Sequence, residues 1–147
     1  PVPDNVAWQP VAREPLMALL PADHPFAHAE SVGLADLRES PFILFETGFA
    51  LNRIIHDACQ RAGFTPAIAA RSGQIDFIVA LVAAGLGVAF LPRLKAQDAL
   101  PAGVCRVPLR DPGTDWEMVL VWRRGGYLSH AAQAWLALTR EVHPGVS

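Results

Sequence analysis

The sequence predicts an α/β fold with mostly parallel sheets. Three observations carry this. Short apolar runs recur at Leu16–Leu20, Phe42–Phe45, Pro66–Ala70 and Gly87–Leu91. Runs that are apolar at successive positions mean strands covered on both faces, as parallel strands usually are. From Phe42 onward these runs alternate with helical patterns, as βαβ units require. The run Leu81-Val-Ala-Ala-Gly-Leu-Gly-Val-Ala-Phe-Leu-Pro92 passes from an apolar helix through glycine into an apolar strand and stops at proline.

Composition sets the bounds. The chain has 147 residues, 52% hydrophobic and 18% charged, which suits one domain or two small lobes with a real core. A formal net charge of −2 leaves no basic footprint for nucleic acid, so any DNA contact belongs to another part of the protein. Cys59 and Cys105 stand far apart without a CxxC spacing, which argues against a disulfide framework or a zinc site and for reduced cytoplasmic thiols. No cofactor motif is evident. The start, Pro1-Val-Pro-Asp-Asn, has neither a basic nor an apolar leader region, and no apolar run is long enough for a membrane span. The missing methionine reads as a processed or cut chain.

The elements follow in order. Val6–Arg13 is extended, and Leu16–Leu20 is a strand closed by Pro21. Pro21 to His28 is a turn-rich crossing, and Gly33–Glu39 a short helix ended by Pro41. After strand Phe42–Phe45 and loop Glu46–Phe49, Leu51, Ile54, Ile55, Ala58, Cys59 and Ala62 form a helical stripe, with Gly63 at C′. Strand Pro66–Ala70 leads through the polar loop Arg71–Gln74 into an all-apolar helix, Ile75–Ala84, expected to be buried. Strand Gly87–Leu91, a helical turn at Arg93–Ala96, a polar loop to Gly103 and extended Val104–Leu109 follow. Strand Glu117–Trp122 and a last helix capped by Ser129 end the chain. That helix is expected to bury Leu128, Ala131, Ala132, Trp135, Leu138 and Val142, with Trp116 and Trp122 also in the core.

In parallel sheets, ligands bind beyond the carboxyl ends of the strands, near free helix N-termini. Two loops answer that description. In the first, Thr47 offers a hydroxyl, and the amides of Thr47, Gly48 and Phe49 offer a nest for an anion. In the second, Ser72, Gly73 and Gln74 precede the apolar helix. Capping of the following helix is the competing role for Thr47 and for Ser72. Phe49, Ile75 and Phe90 offer an apolar wall, with core packing the competing role for Phe90.

Several segments together resemble one family. Arg13-Glu-Pro-Leu-Met-Ala-Leu-Leu-Pro-Ala-Asp-His-Pro-Phe-Ala, Leu34-Ala-Asp-Leu with Pro41-Phe-Ile-Leu-Phe, Ala62-Gly-Phe-Thr-Pro and Leu81–Pro92 are similar to the effector-binding domain of LysR-type transcriptional regulators. Val107-Pro-Leu, Leu120-Val-Trp-Arg and Tyr127-Leu-Ser continue the match. The resemblance implies a fold like a type II periplasmic binding protein, with an effector held between two lobes. Residues 1–21 and 108–147 would form lobe I and residues 22–107 lobe II. It also implies that lobe I is incomplete, with its opening βα units and the N-terminal helix-turn-helix absent and apolar surface left uncovered.

The function expected is therefore sensing of a small effector, a carboxylate by the character of the loops, in a homo-oligomeric regulator. DNA would be contacted only through the absent domain. A solute-binding transport protein would share the fold. A small enzyme using Cys59 and His56 is the third reading, weakened by the lack of a cleft or an orienting third group. No catalytic or metal-ligating residues are assigned. His24 reads as a turn residue, Asp76 as a helix-dipole residue, and Glu46 as a lone carboxylate without an acid–base partner. The polar face of helix 48–62 could serve in subunit pairing.

Overall fold

The computed structural model describes residues 4–96 and 100–142, so part of the loop expected up to Gly103 lies outside the described residues. The chain divides into two units, one drawn from Pro1–Arg13 and Glu117–Ser147, the other from Glu14–Trp116. The first boundary differs from the expected 21/22 because of β2 (Leu16–Pro21), and the second falls at 116/117 rather than at 107/108. β2 lies between β5 (Ala89–Pro92) and β6 (Val104–Pro108) and pairs with both.

Within the larger unit, β2 runs antiparallel to each neighbour: Leu19 stands opposite Ala89 on one side and Arg106 on the other. This departs from the parallel expectation. A continuous apolar run reports that both faces are covered, and here it is silent on strand direction. The β3 (Phe42–Phe45) and β4 (Ile68–Ser72) pair is parallel, and a parallel bridge joins Phe42 to Val88, just before β5. The carboxyl ends of β3, β4 and β5 therefore share one edge.

Two helices cover these strands. α1 (Ala50–Arg61) buries Leu51, Ile55, Ala58 and Cys59, as its stripe requires, and packs on β3 and on the 3-10 turn Leu34–Leu37. α2 (Ile75–Ala83) lies across β2 to β6 and buries Ile78, Val79 and Val82. It is not buried all round: Phe77 is 52% exposed, because the strands cover one side only. Both helices end in Schellman turns. Leu86 N–H donates to Leu81 O and Phe64 N–H to Cys59 O, with Gly85 and Gly63 at positive φ. The core between helices and strands is centred on Phe42, which packs on Phe90 at 4.9 Å and edge-on to Phe64 at 6.3 Å. α3 (Arg93–Ala96) follows β5 directly.

In the smaller unit, β1 (Val6–Glu14) pairs with β7 (Trp116–Arg123), and α4 (His130–Val142) begins with Ser129 Oγ accepting from Ala132 N–H at 3.2 Å. The expected apolar stripe of α4 is not what this helix buries. Gln9 donates to Thr139 Oγ1 and accepts from Arg140 Nε, so a hydrogen-bonded line faces β1. Trp135, Leu138 and Val142 remain exposed, while Trp116 and Trp122 are half-buried.

His24 holds the crossing after β2. Its Nδ1 accepts from Phe26 N–H and its Nε2 meets Ser40 Oγ at 2.9 Å, so the ring is needed neutral. Burial lowers its pKa, with Asp23 opposing. The unfolded chain therefore binds a proton more readily, and stability is lost as pH falls through the ordinary histidine range. A denaturation series from pH 8 to pH 5.5 should show this loss, and His24→Asn should flatten it. Gly87 is a second sensitive point, since a Cβ there would lie 2.3 Å from Pro41 O. Gly87→Ala is expected to cost on the order of 1–3 kcal/mol in urea unfolding.

Candidate effector site

The shared strand edge brings the two sequence-selected loops together. After β3 the chain turns through Glu46–Phe49 into α1. Phe45 O accepts from Asn52 Nδ2 at 2.9 Å and from Arg71 at 3.1 Å, and Asn52 Nδ2 also donates to Glu46 O at 2.7 Å. Phe49 stacks on Phe45 with ring centroids 5.0 Å apart. After β4 the chain turns through Gly73 and Gln74 into α2. The Glu46 carboxylate packs over Gly73, with Oε2 3.4 Å from where a Cβ would stand.

Two adjoining cavities open here. One, of about 510 Å³, is mostly apolar, and its lining includes Thr47, Gly48, Phe49, Ile75, Leu91 and Pro92, together with Lys95 and Trp116. The other, of about 460 Å³, is polar and is lined by Gly73, Gln74, Ile75, Asp76 and Lys95. Ile75 and Lys95 belong to both. On the far side of the first loop, a groove of about 780 Å³ is lined by Thr47 to Ala50 together with Arg53, His56 and Arg71. The 47–50 segment is thus a wall between two spaces.

The candidate residues separate by their chemistry. Thr47 is not a cap: α1 is capped by Phe49 without a side-chain bond, and the Thr47 hydroxyl makes no hydrogen bond among the described residues. It lines the apolar cavity. Gly48 and Phe49 line it too, and Gly73 and Gln74 line the polar one. Ser72 does not cap α2, whose N-cap is Gln74. Its hydroxyl instead accepts from Gln74 N–H at 3.1 Å and holds the turn. Phe90 is 2% exposed and belongs to the core against Phe42, away from the cavity. Side chains alternate along a strand, so the next residue, Leu91, supplies the wall expected of Phe90.

Sequence reasoning missed Lys95, Trp116 and Asn52. Lys95 follows the third strand of the same edge, so the strand-end rule applied to β5 would have found it. Trp116 reaches the cavity from the far end of the unit, and nothing local marks it. Lys95 has no ion-pair partner among the described residues.

The nucleophile reading finds no support. His56 is exposed, whereas Cys59 is fully buried and its thiol is pushed up to about 11 by burial and by the charge of Asp111. A thiol so held is inert at neutral pH. Among the described residues, no group of three or more His, Cys, Asp and Glu side chains is placed to hold a metal. No helix there is long and apolar enough to cross a membrane.

Comparison with known proteins agrees with this architecture. The LysR substrate binding domain family matches residues 1–144, and the chain belongs to that family. It is a family of effector-sensing regulators rather than enzymes. The uncharacterized HTH-type transcriptional regulator YwbI of Bacillus subtilis is 37% identical over 130 residues, 88% of this chain and 43% of that protein. The chain thus spans less than half the length of such curated relatives. Among solved structures, the C-terminal domain of a probable LysR family regulator from Rhodococcus sp. RHA1 is 30% identical, with a TM-score of 0.77 over 94% of this chain and 69% of that one. The BenM effector binding domain with its effector benzoate is 20% identical, with a TM-score of 0.81 over 97% of this chain and 65% of that one, a likeness of fold.

Thiol labelling tests the assignment of Cys59. At pH 8 the folded protein should leave Cys59 unmodified by iodoacetamide, and denaturant should expose it. Cys59→Ala is expected to lower stability by on the order of 1 kcal/mol through the cavity it leaves.

Proposed function

We propose that this chain is the effector-sensing part of a LysR-type transcriptional regulator, with its ligand site at the shared strand edge. The observation that carries the proposal is the apolar cavity bounded by Thr47, Phe49, Ile75 and Trp116, with Lys95 at its border with the polar cavity. Its size lies within the ordinary range for small-ligand sites, roughly 300–1,000 Å³. A mostly apolar lining with one cation suits a small organic acid: the ligand body is taken out of water, and the carboxylate meets an ammonium. The benzoate in BenM is a ligand of that kind. In the whole protein, a helix-turn-helix segment of the kind named for YwbI would contact DNA.

The ligand acts by differential affinity, stabilising one arrangement of the protein over another. The 46–49 loop suits this role, since it is tied to the strand end at Phe45 O yet stands between two open spaces. The regulator works as a homo-oligomer in the cytoplasm, where DNA is present and the free thiols of Cys59 and Cys105 stay reduced. The exposed face of α1, with Arg53, His56, Asp57 and Gln60, is available for pairing. The transport alternative shares the fold, but the regulator names carried by the relatives favour regulation.

A thermal-shift panel of small aliphatic and aromatic carboxylates, amino acids among them, tests the reading. A ligand at 100 times its Kd should stabilise the fold by about 2.7 kcal/mol. Phe49→Ala, which removes an exposed ring from the wall, should weaken such a ligand about tenfold or more. Absence of any shift across the panel would overturn the proposal.

A further inference from the structure

The charges around the polar cavity do not match a simple anion. Lys95 is the single cation in its lining, but Asp76 lines the same cavity and the Glu46 carboxylate packs over Gly73, another lining residue. None of the three has an ion-pair partner among the described residues. A carboxylate drawn to Lys95 therefore enters a lining that already holds Asp76, with Glu46 beside it over Gly73. Like charges brought close together repel, more strongly wherever water is displaced. A ligand carrying one group of each sign removes the conflict.

Resting on the site proposed above, we propose that the effector is a zwitterionic amino acid with an apolar side chain. Its carboxylate pairs with Lys95, its ammonium lies toward Asp76 and Glu46, and its side chain enters the adjoining cavity against Phe49, Ile75 and Trp116. The two compartments meet at Ile75 and Lys95, so one small molecule can span them. An apolar side chain suits the first cavity because polar atoms there would lose water with few partners: the side-chain hydrogen-bonding groups of its lining are the Thr47 hydroxyl, the Trp116 indole N–H and Lys95. Asp76 also stands in the first turn of α2, where a carboxylate is favourable without any ligand. Its role toward a ligand must therefore be read from preference, not stability.

Calorimetric titration of the 147-residue chain with three related probes makes that reading. L-Phenylalanine carries both groups, 3-phenylpropanoate lacks the ammonium, and 2-phenylethylamine lacks the carboxylate. L-Leucine, L-methionine and L-tryptophan extend the first, each run beside its deaminated acid. The expected result is that at least one amino acid binds about tenfold or more tightly than either of its halves. Asp76→Asn should erase that advantage over the deaminated acid, and Lys95→Met should weaken both. Tighter binding of the deaminated acids, still dependent on Lys95, would overturn the amino-acid assignment and leave the carboxylate site standing. Binding by neither series would overturn both.

Discussion

Between Pro41 and Gly87 two backbone segments approach so closely that no side chain fits. Val88 N–H donates to Pro41 O at 2.9 Å and Ile43 N–H to Val88 O at 2.8 Å. A Cβ on residue 87 would meet Pro41 O at 2.3 Å. This contact is the parallel bridge that sets β5 beside β3. It makes the carboxyl end of β5 share an edge with those of β3 and β4, and so brings Lys95 to the loops after Phe45 and Ser72. The Schellman turn at Gly85 serves the same end, because it stops α2 in time for the chain to reach Pro41. The site is thus a consequence of where two glycines let the backbone go.

The first loop is held by a carbonyl rather than by a cap. Phe45 O receives Asn52 from within α1 and Arg71 from β4, so loop, helix and neighbouring strand are tied at one atom. A capped loop would have spent the Thr47 hydroxyl on the helix. Because Asn52 and Arg71 do the tying, Thr47 keeps its hydroxyl for the cavity, and Phe49 lies against Phe45 with much of its ring exposed. Movement of the 47–50 wall would alter the apolar cavity and the Arg53–Arg71 groove together, since both are bounded by it.

Legibility in the sequence followed the range of the interactions. Hydrophobic runs, the α1 stripe and the glycine at each helix end are local signals, and they placed β3, α1, α2 and β5 closely. The strand-end rule then selected Thr47–Phe49 and Gly73–Gln74. Failures came where partners lie far along the chain. The direction of β2 depends on residues 89–92 and 104–108, and Trp116 reaches the cavity from more than forty residues beyond Ile75. For α4, the apolar stripe was read correctly as a stripe, but Gln9 on β1 engages the helix through Thr139 and Arg140. Phe90 takes the core role that competed with the wall, and Leu91, one residue on and therefore on the other face, lines the cavity instead.

The electrostatics of the loops depend on groups that local sequence does not bring together. Seen in isolation, two small-residue loops before helix N-termini invite an anion, and each terminus favours one by about 0.3–1 kcal/mol. Glu46 reads as solitary because it is the only carboxylate in the two loops. The fold places it over Gly73, beside the cavity that Asp76 and Lys95 line, so an approaching anion meets both signs. On the amino-acid proposal, selectivity at this edge would be set less by the strength of the Lys95 contact than by what a ligand offers Asp76 and Glu46. A site of this kind discriminates by leaving the wrong ligand with an unanswered charge.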